Sequence, residues 1–199
     1  MSDAGHQSPS RTALMYALLA GAGALAGHWI SPGRGALVGA AALTGWEAAW
    51  FLRRYQARQD AYARALAHAR QLGLPLVVIG APDRGSRNDM CGDLVIDIAP
   101  SNACPNFIQA DISRSIPLPN DSAVVFIPYV LEYVGDLDAA VRELNRVAPG
   151  RVYMLRVEPW TLTAYYYQGA KRTVPADLFP DPQIPALPAA RADTRIVAR

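Results

Sequence analysis

Hydrophobic positions divide this chain into two contrasting halves. Residues 13–30 carry no ionisable side chain except His28, and residues 36–52 none except Glu47. Each run is about 17–18 residues, the short end of what spans a bilayer core. Ser31, Pro32, Gly33, Arg34 and Gly35 lie between them and read as a tight turn of helix breakers. A helix apolar on every side is either membrane-embedded or buried in a large core. The rest of the chain offers no second core of that size, so the pattern predicts a two-helix transmembrane hairpin. An interfacial hairpin, a soluble buried hairpin and a cleaved leader for the first run are the alternatives.

After Arg53 the texture becomes charged and alanine-rich through residue 72. Tyr55, Tyr62, Leu66 and Ala69 recur at helical spacing, and Gly73 marks the end. This predicts that the second helix continues out of the anchor. Beyond it come short apolar runs at 76–79, 94–98, 123–127 and 151–157, each bounded by turn residues. They read as buried strands. Residues 136–147 have helical periodicity, with Leu137, Val141, Leu144 and Val147 on one face. Apolar strands alternating with helices point to an α/β domain with a parallel sheet.

Charge refines this picture only a little. The net charge is +2, too small to make nucleic acid the expected partner. Arg11 precedes the first apolar run and Arg53, Arg54 and Arg58 follow the second, against Arg34 alone in the turn. That asymmetry predicts both termini in the cytoplasm. Gly23 and Gly27 make a small-xxx-small pair, suited to packing within the hairpin or to self-association in lipid. The two cysteines, Cys91 and Cys104, form no CxxC and sit in no Cys/His cluster. They read as free thiols of a reduced cytosolic domain, and no metal site is expected.

One segment carries a family signature. Residues 110–122 run Ala-Asp-Ile-Ser-Arg-Ser-Ile-Pro-Leu-Pro-Asn-Asp-Ser. They are followed by Val124-Val-Phe-Ile-Pro-Tyr-Val-Leu-Glu-Tyr-Val and by a helix ending Arg142-Glu-Leu-Asn-Arg-Val147 before Pro149-Gly150. In this order the motifs resemble a class I methyltransferase dependent on S-adenosylmethionine, of the type 11 kind, over residues 74–158. The resemblance implies a reduced Rossmann-like fold. It also implies that Asp97, late in the second strand, holds the cofactor's ribose hydroxyls. Asp111, after the third strand, would contact its adenine, and Gly80 would let backbone approach the ligand.

The chain departs from that family in ways that bear on activity. In place of a G-x-G-x-G loop it has Gly80-Ala-Pro-Asp-Arg-Gly85, where Pro82 removes a backbone donor. Only 13 residues lie between Gly80 and Leu94, too few for loop, helix and return. The family's Glu-His pair is Glu132-Tyr133 here. Past Glu158 come a Tyr165–Tyr167 cluster and a proline-rich, basic end. The expected layout is therefore 1–12 flexible, 13–52 hairpin, 53–72 connecting helix, 73–172 methyltransferase-like domain and 173–199 tail. Two functions compete. One is a non-catalytic interaction or scaffold module on the lipid bilayer. The other is an active enzyme that methylates a membrane-proximal acceptor with S-adenosylmethionine.

Overall fold

The computed structural model describes residues 32–80, 90–156, 170 and 172–182. The first apolar run with Gly23 and Gly27, the 81–89 loop, the Tyr165–Tyr167 cluster and the basic end lie outside them.

Helix α1 spans Pro32–Leu72, 41 residues without a break. The expected turn at 31–35 is not a turn from Pro32 on. Proline suits the first helical position, where its missing N–H costs no bond and its fixed φ is already helical. The carboxyl end stops at Gly73, whose φ of +65° is the left-handed cap geometry, and the Leu74 N–H donates back to the Ala69 carbonyl at 3.0 Å.

Five strands follow: β1 (Leu76–Ile79), β2 (Leu94–Asp97), β3 (Phe107–Gln109), β4 (Val124–Pro128) and β5 (Val152–Leu155). Helix α2 (Leu137–Val147) lies between β4 and β5. Every neighbouring pair is parallel, and the strand order is β3-β2-β1-β4-β5. This is an α/β domain of the Rossmann-like kind. Hydrophobic runs located β1, β2, β4 and β5 to within two residues. Strand β3 escapes that reading because it is short, half-exposed and at the sheet's edge, with no apolar run to announce it.

The alternation of side chains along the strands sorts the core into two layers. Val77, Ile79, Val125 and Ile127 face α2, where Ala140, Leu144 and Val147 are buried. Leu137 and Val141, expected at the centre of that face, are half-buried at its margin. Leu76, Val78, Val124 and Phe126 face α1, which meets them with Ala61, Ala65 and Ala69. These alanines recur every fourth residue, and their size lets the helix axis approach the sheet closely. Tyr55, the first residue of the expected stripe, is exposed instead. Residues 53–72 are thus one whole layer of the domain, and a chain starting at 73 would leave one sheet face uncovered.

The core also draws on Val174 and Phe179, beyond the boundary drawn at 172. Arg172 donates to the Gly135 carbonyl at 2.9 Å, and Asp181 meets Arg64 of α1 at 3.4 Å. The 172–182 segment therefore passes from the α2 side of the sheet to α1.

The cysteine reading is corrected. Cys91 and Cys104 are joined in a disulfide, with Cα atoms 5.6 Å apart. One precedes β2 and the other precedes β3, and parallel pairing of these strands brings their amino ends together. Spacing along the chain does not reveal this, because the parallel crossover alone creates the proximity.

Among the described residues no helix is long and apolar enough to cross a membrane. The amino half of α1 is nonetheless unlike the rest of the surface. Val38, Trp46, Phe51 and Leu52 are all more than half exposed, and none belongs to either core layer.

Candidate functional site

In an open parallel sheet, ligands bind beyond the carboxyl ends of the strands where the strand order reverses. Here the chain moves outward from β1 through β2 to β3, then crosses back to place β4 on the other side of β1. The reversal lies between β1 and β4. Gly80 follows β1, Asp97 closes β2 and Asp111 stands two residues past β3. The fold therefore gathers all three expected residues along one edge, on three neighbouring strands.

Their local bonds qualify that arrangement. Asp97 Oδ1 accepts from the Ala99 N–H at 2.9 Å, closing a turn after β2. Asp111 Oδ1 accepts from both the backbone N–H and the hydroxyl of Ser113, at 2.9 and 2.6 Å. Its other oxygen lies 3.6 Å from Arg114 Nε. Both carboxylates thus organise their own loops, a common task for aspartate just past a strand.

Gly80 has a φ of +91°, and its N–H donates to the Ile96 carbonyl at 2.8 Å. A Cβ built there would lie 2.6 Å from Val130 Cγ2. The open side of this glycine is already covered by the β4–α2 loop. That loop packs inward, with Leu131 and Glu132 buried.

The loop before β4, residues 116–122, is held by α2. Glu143 accepts from the Ile116 N–H at 2.8 Å and pairs with Arg146 at 2.7 Å. Arg146 also donates to the carbonyls of Ile116 and Leu118 and to Asn120. Hydrogen bonding to Arg146 holds the Glu143 carboxyl below its ordinary range, with a smaller contribution from the Ile116 N–H. These residues fix the loop before β4 rather than face a ligand.

Two pairs of titratable groups join α1 to the sheet. His68 is buried, with Nδ1 3.0 Å from the Tyr153 hydroxyl. Burial lowers its pKa, aided by the Arg151 charge, and so favours the neutral imidazole. At the amino edge, Arg70 makes two bonds to Asp93, at 2.9 and 3.0 Å, and Asp93 also accepts from the Leu76 N–H. The Arg70 bonds, then the Leu76 bond, depress the Asp93 pKa.

A cavity of about 470 Å³ opens where α1 passes the carboxyl ends of β4 and β5. Trp50, Arg53 and Arg54 of α1 line it together with Tyr129, Met154 and Arg156. The Arg54 guanidinium lies over the Tyr129 ring, 4.5 Å from its centre. Tyr129 has a φ of +56°, the left-handed region, which is uncommon for an aromatic residue. Sequence reading takes Arg53 and Arg54 as orientation signals and places Arg156 within the last apolar strand. Only the β5 register brings Arg156 to the two on α1.

Among the described residues no group of three or more His, Cys, Asp or Glu could hold a metal ion. Compared with protein-family models, curated proteins and solved structures, the chain matches none.

Proposed function

We propose that this chain is a membrane-anchored, methyltransferase-like module that works by binding rather than by catalysis. The observation that carries the reading is Gly80. In the fold it resembles, a glycine at this point leaves room for the cofactor. Here Val130 already stands against that glycine, with its Cγ2 2.6 Å from where a Cβ would lie, which leaves less room for a ligand on that side. The loop duties of Asp97 and Asp111 support the same reading, since a carboxylate serving backbone donors has less capacity for a ribose diol or an adenine amine.

Anchoring is supported by the two apolar runs and by the exposed large side chains of the amino half of α1. The Glu47 charge and the many glycines and alanines make 36–52 a weak span alone, so the hairpin needs 13–30 as its partner.

Two measurements on the full-length chain test the proposal. Calorimetric titration in mild detergent with S-adenosylmethionine and S-adenosylhomocysteine is expected to give no saturable heat at millimolar ligand. Saturable binding that Asp97→Asn abolishes would restore the enzyme reading. Carbonate washing of membranes is expected to leave the chain in the pellet. Release into the supernatant would remove the anchor from the proposal.

A further inference from the structure

We infer that the cavity between α1 and the ends of β4 and β5 is a binding site for a phosphate-bearing amphiphile. Three arginines line it: Arg53 and Arg54 from α1, and Arg156 one residue past β5. Among the described residues its lining contains no carboxylate. Gathering three like charges around one hollow costs Coulomb repulsion, which an anion bound among them reverses. Guanidinium is the side chain best matched to phosphate, because its planar fork donates two parallel bonds to two oxygens. The ring of Tyr129 under Arg54 fixes one of these forks in place.

The rest of the lining says what the phosphate is attached to. Trp50, Tyr129 and Met154 give the cavity an apolar wall beside the charges. Bare inorganic phosphate has no use for that wall, whereas a phosphate ester with a hydrocarbon body fills both parts. The surroundings continue the gradient. Trp46, Phe51 and Leu52 are exposed on the same stretch of helix, within about two turns of Arg53 and Arg54. Trp46 and Trp50 pack edge to face, with centroids 6.4 Å apart. Paired tryptophans followed by arginines are the side chains that settle at headgroup depth. The site itself stands on the cavity, and the lipid source of its ligand rests on the anchoring proposed above.

The test uses the full-length chain in neutral detergent micelles, titrated with dihexanoyl phosphatidic acid, dihexanoyl phosphatidylcholine and inorganic phosphate, and read by calorimetry. Saturable binding of the phosphatidic acid is expected. Arg156→Gln should weaken it about tenfold or more, the usual effect of losing a charge-assisted bond. Arg156→Lys should recover part of the loss, and Arg142→Gln, on the exposed side of α2, should change nothing. Thermal melts of the unliganded variants separate lost binding from lost folding.

Preference for phosphatidic acid over inorganic phosphate supports the lipid source. Equal affinity for the two supports the same site with a soluble phosphate ligand. Binding by neither, or binding indifferent to Arg156→Gln and Arg54→Gln, overturns the inference. Because no step relies on membrane retention, failure of the wash experiment and failure here are separately visible.

Discussion

Phe126→Ala is expected to destabilise the domain by about 3–5 kcal/mol, the range for a large aromatic removed from a packed core. Phe126 is fully buried in β4, the strand next to the centre of the sheet, and faces α1. Its ring meets Tyr62 edge to face, with centroids 5.5 Å apart. Tyr62 in turn accepts a hydrogen bond from the Gly92 N–H at 3.0 Å, so helix, sheet and the approach to β2 meet at one point. Truncation opens a void that the rigid neighbouring strands cannot close. Urea unfolding followed by far-ultraviolet circular dichroism would report it as a lower midpoint with an unchanged slope. A loss below about 1 kcal/mol would mean that α1 does not pack on this face as described.

Breaking the Cys91–Cys104 bond, by Cys91→Ser with Cys104→Ser, is expected to cost about 3 kcal/mol. That figure follows from closing a loop with a sequence separation of 13 in the unfolded chain. Reduction of the native chain should produce the same loss, and reduction of the double variant none. Before reduction, neither sulfur should react with a thiol-specific alkylating reagent. Labelling of both cysteines in freshly isolated chain would show that they are unbonded there.

The bond also bears on sidedness. Disulfides persist in oxidising compartments, whereas the count of basic residues favours a cytoplasmic domain. Arg53 and Arg54 have a second reason for their position, since they line the cavity. The alkylation result therefore decides more about sidedness than the arginine count does.

Much of the scaffold was legible because its physics is local. Runs such as Leu76-Val-Val-Ile79 are buried on both faces, so nearly every residue in them is apolar. Asp136 caps α2 by accepting from the Ala139 N–H, and the cap stands in the sequence just ahead of the amphipathic pattern. The motif on which the proposed methyltransferase likeness rests is local in the same way. The residues that carry it, from Ile116 to Asn120 with Glu143 and Arg146, form one bonded unit that positions a loop.

What stayed hidden depends on distant segments meeting. Nothing near Gly80 announces Val130, 50 positions further on. Nothing near Cys91 announces its partner, and nothing in the tail announces the burial of Val174 and Phe179. Arg156 looked like ordinary strand-end charge until parallel pairing of β4 and β5 set Leu155 opposite Pro128 and brought it beside α1.

Under the anchoring proposed above, the unbroken course of α1 gives the domain a fixed bearing. A helix of 41 residues is about 60 Å long at 1.5 Å per residue. Its carboxyl half is locked to the sheet by Ala61, Ala65 and Ala69, and its amino half leaves the domain past the carboxyl ends of the strands. No glycine-serine hinge separates the two, so the domain cannot swivel freely about its point of attachment. Whatever grips the amino half therefore sets the height and tilt of the whole sheet. With that half anchored as proposed, every copy would present the same sheet edge at the same elevation above its attachment.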